Sequence, residues 1–358
     1  MNKLTAIAMD LSKTVFQIAG ENARGEVVLQ KRLKSRQALH HFIKTLEPPL
    51  TVALEAGPGA QAWARQIQAR GVQVRILPGQ HTAAHRSGPK NDPNDALSIL
   101  RALHDVSVHA VPVKTPEQLA MQALHRARRG WIRRMTAINN QTRGVLLEQG
   151  IVIPRSVAAW QRKVARVLED ATLPLPDRLR DLVATLMSEW AWHREQVDKL
   201  DAELEQLSRT DPVARHLRQV DGVGKIIATA MACKGVNPDR FANSRQFAAY
   251  FGITPSQHSS GATIRLGKMS RRGDAYLRGA LIEGAHAVIR QIRSEATDPY
   301  TRRIQRWVKR CGKKGAAVRL ANHNLRVMWV LLKHPDTPFH RNPHERTLGT
   351  EIAEGTLH

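Results

Sequence analysis

The sequence predicts an α/β N-terminal domain on a mixed sheet, a long helical connector and a mainly α-helical C-terminal domain. Three observations carry that expectation. Short apolar runs alternate with helix-spaced segments over residues 4–104. A seam of apolar residues at heptad spacing runs from Leu179 to Leu207. Beyond Asp211-Pro212 the chain turns to glycine-punctuated helical segments rich in arginine and lysine.

Leu4–Met9 is a short apolar run that reads as a buried strand stopping at Asp10. Val15–Ala19 and Glu26–Leu33 flank the polar turn ENARG and read as a hairpin. Ser35 suits the N-cap of a helix running to about Leu46, before Pro48-Pro49. Thr51–Leu54 is a second apolar strand, ending at Glu55; a helix over Ala60–Ala69 follows, then Gly71 and a third buried strand, Val72–Leu77. A hairpin sheet continued by parallel strands and helices is the ribonuclease-H-like arrangement. Ala96, Leu97, Leu100 and Leu103 share one side of a helix over Asn94–His104. Thr115 to about Gly150 reads as one continuous basic helix. Leu179, Val183, Leu186, Trp190, His193, Val197, Leu200, Leu204 and Leu207 alternate by four and three, the pattern of a coiled coil within a chain or between chains. The expected domains are residues 1–110, a connector over 111–210, a C-terminal domain over 211–334, and a flexible polar tail over 335–358.

Lysine and arginine number 55 against 31 acidic residues, a formal charge of +24. So strong a positive charge points to a polyanionic partner, because neutralising nucleic-acid phosphates releases counterions. No run of 18 apolar residues exists and the opening MNKLTAIAMDLSK lacks a signal peptide's apolar stretch. The expectation is a cytoplasmic protein with no membrane partner. Two cysteines, Cys233 and Cys311, are too few for a disulfide framework or zinc knuckle.

Four acids stand where chemistry would gather. Asp10 and Glu55 end strands, and Asp92 and Asp95 start a helix in KNDPNDA. In an open α/β sheet, groups just beyond the strand ends converge on one crevice. Four carboxylates together repel one another unless a divalent cation sits among them, and oxygen ligands of this kind suit magnesium. Each acid alone is equally a helix cap or surface charge; the combination is what points to phosphoryl chemistry. His81 and His85 have no third ligand at zinc spacing.

Arg126, Arg128, Arg129, Arg133, Arg134 and Arg143 crowd one helix with no acid between them, which suits a phosphate-binding face. In QVDGVGKIIATAM, Gly222 and Gly224 precede an apolar helix as in a helix-hairpin-helix element, or form a plain inter-helix turn. The stretch TPSQHSSGATIRLGKMSRRGDAYLR places Ser256, Ser259, Ser260 and His258 before Arg265, Lys268, Arg271 and Arg272. A hydroxyl there can face phosphates, or merely close a loop.

The motifs AMDLSK, ALEAGPG and KNDPNDA resemble the four-acid signature of the DEDD insertion-sequence transposases of the IS110/IS1111 family. QVDGVGKIIATAMA, SRQFAAYFGITPSQHSSG and LGKMSRRGDAYLR resemble that family's second domain. The likeness spans about residues 4–330. It implies a RuvC-like catalytic domain, a coiled-coil connector and a C-terminal transposase domain. It also implies a structured guide (bridge) RNA pairing with donor and target DNA, and a dimer that assembles to a tetramer. The family's serine nucleophile directly precedes a glycine, which maps to Ser260, with Ser259 beside it. Three readings follow: a guide-RNA-dependent recombinase, a junction nuclease using the four acids and water, and a nucleic-acid-binding protein without catalysis.

Overall fold

The computed structural model describes residues 3–87, 92–260, 263, 265–292, 295, 298–337 and 339. Lys90, Asn91, the Asp92 side chain, Gly261 and most of the polar tail, each singled out above, lie outside the described residues. The chain divides into two compact units, Met1–Thr115 and Pro116–His358.

The first unit is built on a five-stranded sheet of order β3-β2-β1-β4-β5. Strands β1 (Leu4–Leu11), β2 (Phe16–Asn22) and β3 (Val27–Leu33) form an antiparallel meander. Strands β4 (Thr51–Glu55) and β5 (Gln73–Leu77) add in parallel beside β1. This is the expected hairpin continued by parallel strands. Helix α1 (Arg36–Lys44) starts where expected, with Ser35 Oγ accepting the Ala38 N–H at 3.1 Å. Helix α2 is Ala60–Gln68. A short helix not foreseen, α3 (Gly79–Ala84), follows β5, and α4 spans Asp92–His104.

Strand alternation gives the sheet two different faces. Ile7, Met9, Ile18, Val52 and Leu54 point to one side, in one core with Leu39 and Ile43 of α1 and Trp63 and Ile67 of α2. Ala6, Ala8, Ala19 and Ala53 point to the other, in a core with Ala96, Ile99, Leu100 and Leu103 of α4. Methyl side chains on that face let α4 lie close to the strands.

In the second unit, α5 (Pro116–Leu147) and α7 (Asp177–Thr210) pack along each other. Helix α6 (Val157–Glu169) closes over them with Trp160, which is fully buried. Val183, Leu186, Trp190, Val197, Leu200 and Leu204 are all under a tenth exposed. Val183, Leu186, Trp190 and Val197 share one core with Met135, Ile138 and Leu146 of α5 and Trp160 and Val164 of α6, and Leu204 shares another with Met121 of α5. The heptad seam is therefore buried within the chain, the first of the two arrangements its spacing left open. The heptad spacing reports only that one stripe is buried; a partner helix from the same chain satisfies it as well as one from another.

Helices α8 (Pro212–Leu217), α9 (Lys225–Ala232), α10 (Ser244–Tyr250), α11 (Ala275–Gln291) and α12 (Pro299–Lys333) complete the unit. A two-stranded hairpin, β6 (Pro255–Gln257) and β7 (Leu266–Met269), interrupts them. One core holds Met121 and Leu204 together with Ile227, Phe247, Leu281, Leu320 and Met328, so α5 and α7 pack with the helices that follow them. Helix α12 breaks at Gly312, whose φ of 69° is left-handed. Its halves fold against each other, since Arg303 reaches His323 at 2.9 Å. Twenty residues along a straight helix would separate them by about 30 Å.

Truncating the internal seam should lower stability and leave association unchanged. Leu186→Ala and Leu200→Ala are each expected to cost about 2–5 kcal/mol in urea unfolding. Light scattering of the folded variants should give the mass of the unmodified protein. A lower mass with an unaltered unfolding midpoint would restore the seam between chains.

Candidate functional site

The alanine face of the sheet carries the acids. In the parallel register Ala8 pairs Ala53 and Met9 pairs Leu54, so Asp10 and Glu55 are the next neighbours at adjacent strand ends. Both follow the alternation of Ala8 and Ala53 and thus share the side on which α4 packs. Gln17, across from Asp10 on β2, is nearly buried on the same side. Thr82 of α3, fully buried, has its single hydroxyl proton within reach of two acceptors, Glu55 Oε2 at 2.8 Å and the Gly79 carbonyl at 3.0 Å. A Cβ on Gly79 would sit 2.9 Å from Glu55 Oε1, so any side chain there would displace that carboxylate. The sequence reading missed α3 and therefore Thr82; the Pro78-Gly79 turn right after a strand was the available signal.

Helix α4 brings the other acids. Asp92 is in its first turn, with its side chain outside the described residues. Asp95, one turn on, is half-buried and accepts from Arg86 Nε at 2.7 Å. The far end of α4 is tied to the sheet by His104 bonding to buried Glu21 of β2. Among the described residues no three His, Cys, Asp or Glu side chains gather closely enough to hold a metal ion. In donor chemistry the set suits a hard divalent cation, because Asp10 and Glu55 offer carboxylate oxygens from neighbouring strand ends. His85 accepts a different role, with Nε2 3.1 Å from Asp105 and Nδ1 2.9 Å from the His81 carbonyl.

The serine block forms the β6–β7 hairpin. Ser259 Oγ accepts from Gln257 Nε2 at 3.0 Å and from the Arg265 N–H at 3.1 Å, which clamps the hairpin. Ser260 exchanges backbone hydrogen bonds with Thr263 at 3.3 and 3.1 Å. Its side chain is exposed, and its hydroxyl makes no hydrogen bond among the described residues. His258 is exposed, with its N–H donated to the Arg265 carbonyl at 2.9 Å. Arg265, Lys268, Arg271 and Arg272 are all exposed. The loop holding the last two is pinned from behind. Arg271 has a left-handed φ of 55°, and its N–H meets the Gly252 carbonyl at 3.3 Å. Buried Arg278 donates to the Arg272 carbonyl at 2.9 Å. A Cβ on Gly252 would fall 2.0 Å from that same oxygen. Such contacts are what hold a non-glycine residue in a strained conformation.

The arginine-rich helix α5 divides into two groups. Arg128 is engaged by Asp201 of α7, through Nε at 2.7 Å and Nη2 at 3.2 Å. Arg143 donates to the Pro154 and Arg155 carbonyls. The expectation that these arginines lack acidic partners is thus corrected for Arg128, whose partner comes from a distant helix. Arg129, Arg133 and Arg134 are exposed, with Arg129 lying over the Tyr276 ring at 5.7 Å. Gly222 takes a left-handed φ of 81° and packs on the Gly284 carbonyl of α11, where a Cβ would come within 2.9 Å. Gly224 caps α9. Both glycines, Arg128 and Arg129 line a cavity of about 920 Å³.

A directed proton chain borders that cavity. Thr229 Oγ1 donates to the Lys225 carbonyl at 2.5 Å, so it accepts from His125 Nε2 at 3.0 Å. His125 Nδ1 then accepts the Tyr276 hydroxyl at 3.0 Å. The histidine is neutral. Burial first, and then the Arg128 charge, pushes its pKa down to about 4.

Two family profiles match the chain. A transposase profile of the DEDD IS110 type matches residues 7–150, which include all four acids. The Transposase IS116/IS110/IS902 family profile matches residues 214–301, which include the serine hairpin. A probable family 20 transposase of Pseudomonas aeruginosa is 37% identical over 330 residues, 92% of this chain and 97% of the relative. The transposase for insertion sequence element IS1328 of Yersinia enterocolitica is 34% identical, over 92% of this chain and 97% of the relative. The transposase for insertion sequence element IS1111A of Coxiella burnetii is 30% identical over 94% and 92%. A DEDD-type domain implies dependence on a divalent cation. Among the described residues no helix is long and apolar enough to cross a membrane.

His125 gives the second unit an acid-sensitive stability. Its folded pKa, about 4, lies below the unfolded value of 6.5. Between those values only the unfolded chain takes up the proton, so stability is full above about pH 6.5 and falls as pH drops towards 4. The loss from this group is on the order of 3 kcal/mol. Urea midpoints of His125→Gln should therefore change less between pH 7 and pH 4.5 than those of the unmodified protein. Equal pH dependence in the two would refute the assignment.

Proposed function

The chain belongs to the IS116/IS110/IS902 family of transposases, and we propose that this DNA transposase cuts and rejoins strands through a serine-linked intermediate. Its partners in this reading are donor and target DNA and a structured guide RNA that selects the sites. The observation that carries the reading is the contrast between two adjacent serines. Ser259 is committed to clamping the hairpin, whereas Ser260 holds an exposed hydroxyl on a hairpin that also bears Arg265 and Lys268.

In the proposed step, Ser260 Oγ attacks the phosphorus of a DNA phosphodiester. An Oγ–P bond forms, one P–O bond to deoxyribose breaks, and the serine proton ends on the departing sugar oxygen. One phosphoester replaces another, so a second sugar hydroxyl can reverse the step on a new strand without an external energy source. Arg265, Lys268, Arg271 and Arg272 offset charge on the phosphoryl oxygens. A serine hydroxyl is a weak nucleophile at neutral pH and needs help in losing its proton. His258 is one acceptor for it. Asp10, Glu55, Asp92 and Asp95 would hold a divalent cation, magnesium by the hardness of their oxygens. The chemistry such an ion supplies when bound is neutralisation of charge at phosphorus and at the attacking oxygen. Thr82 keeps Glu55 in place for that role, and Arg86 neutralises Asp95. Assembly as a dimer that pairs into a tetramer completes the proposal. Arg129, Arg133, Arg134 and the backbone at Gly222 and Gly224 offer further phosphate contacts.

The decisive experiment mixes the protein with its copurifying RNA and labelled DNA and looks for a denaturation-resistant adduct. Ser260→Ala should lose the adduct and the recombinant product while still binding DNA and RNA. Ser259→Ala should keep the adduct at reduced yield, since it removes two hydrogen bonds worth about 0.5–1.5 kcal/mol each. Asp10→Ala, Glu55→Ala and Asp92→Ala should each abolish strand cleavage. Adduct lost only in Ser259→Ala would move the nucleophile by one residue. Cleavage untouched by either serine substitution would leave hydrolysis at the carboxylates as the reaction.

A further inference from the structure

Trp192 of α7 stands 52% exposed. A single exposed apolar side chain carries no message, but this one belongs to a built surface. Its indole meets that of half-buried Trp131 of α5 edge to face, with ring centroids 6.2 Å apart and planes at 79°. The buried ring of His193 backs it at 5.0 Å and 70°. Two rings of the same chain thus hold the Trp192 indole in one orientation, while the rest of its surface meets solvent.

The surroundings of this ring pair are cationic. Trp131 lies within the arginine run of α5, where no acid stands between Arg126 and Arg143. Arg134 is one helical turn from Trp131, so the two share a side of α5. Arg126, Arg133 and Arg134 are exposed and make no hydrogen bond or ion pair among the described residues. The acids of α7 nearest Trp192 in sequence are occupied on their own helix. Glu189 meets His193 Nε2 at 3.4 Å, Glu195 meets Lys199 at 2.7 Å and Asp198 meets Arg194 at 2.9 Å. An indole face beside free guanidiniums and matched carboxylates fits a flat base tied to a phosphate backbone. Duplex DNA hides its base faces in the stack, whereas the loops and bulges of a folded RNA expose theirs. A second copy of the same face is a poor fit, because in a two-fold contact arginine would meet arginine.

We infer that Trp192, seated on Trp131, stacks an unpaired base of the bound RNA, and that Arg134 holds a phosphate beside it. Every base has a π-face, so stacking tolerates any sequence. The contact therefore anchors the RNA by its shape, at the one place where its fold turns a base outward. Arg126 and Arg133, exposed elsewhere on α5, add to the field that draws the backbone in. This inference rests on the RNA partner of the proposed function but not on any step of its strand chemistry.

The test is fluorescence anisotropy of the full chain with its copurifying RNA, with an oligoadenylate, and with an abasic ribose-phosphate oligomer of the same length. Trp192→Ala should weaken binding of the first two roughly 5- to 100-fold and leave the abasic oligomer bound as before. Trp192→Tyr should keep most of the affinity, whereas Trp192→Leu, apolar but without a π-face, should lose it. None of these three changes removes a charge, so the slope of log K against log salt should stay the same. Arg134→Gln should flatten that slope by about one. Trp192→Leu is expected to melt where the unmodified protein does, which separates lost stacking from lost folding. Unchanged RNA affinity in the folded Trp192→Leu variant would overturn the inference, as would equal weakening of the abasic oligomer. A fall in mass by light scattering with RNA affinity unchanged would give the face to a second copy and overturn it too. The same holds if single-stranded DNA needs Trp192 and the RNA does not. A chain that forms no serine adduct can still show the Trp192 dependence, so the two failures are distinguishable.

Discussion

The close seating of α4 on the alanine face of the sheet is the contact on which the candidate carboxylate site depends. Ala6, Ala8, Ala19 and Ala53 present single methyl groups where the opposite face presents isoleucine, leucine and phenylalanine. A larger side chain at Ala8 or Ala53 would lift the helix that carries Asp92 and Asp95 away from the strand ends that carry Asp10 and Glu55. The two faces thus divide the labour. One supplies most of the large apolar burial, in which Phe16 and Trp63 also meet edge to face at 6.0 Å. The other gives up bulk to set a distance. His104 bonded to Glu21 at the far end of α4 and Arg86 on Asp95 at the near end hold the helix at both ends.

The second unit solves a different problem, which is to present positive charge without scattering it. Arginines that face the interior are engaged there, Arg128 by Asp201, Arg218 by Glu205 and Arg278 by backbone carbonyls. Those that face outward on the serine hairpin sit on backbone fixed by Gly252, Arg278 and the Ser259 clamp. Charge at these positions is therefore aimed rather than mobile, and aimed cations cost less ordering when a phosphate arrives.

The period-two and heptad patterns made the sheet and the long helices legible, down to Asp10 and Glu55 at strand ends and Ser35 at an N-cap. What stayed hidden depends on neighbours far away in sequence. Helix α3 is six residues long, too short to show a period, so Thr82's hold on Glu55 could not be read. Arg128 looks like any other cation of α5 until α7 folds beside it with Asp201, seventy-three residues on. The seam of α7 announces a buried stripe but not which chain buries it. Gly312 stands in a run of lysines and gives no apolar signal that the helix turns back there. Ser259 and Ser260 are the same residue type in the same turn, and the hydrogen bonds that commit Ser259 to the hairpin appear only in the fold.

The strict alternation in β1 also bears on how such a chain can change. Adding or removing one residue between Ala6 and Asp10, past the register shift at Leu4–Ala6, would rotate the rest of the strand by half a turn. Asp10 would then face the Ile7 and Met9 side, and a charge would enter an apolar layer. This stretch of β1 is consequently closed to insertions and deletions, even silent-looking ones that keep composition. Length variation is confined to connections such as the turn at Asn22–Gly25, whose ends are already fixed by the Asn22 side chain and backbone. In such a lineage that turn can be edited in length, whereas the Ala6–Asp10 stretch can be altered only by exchanging one side chain for another.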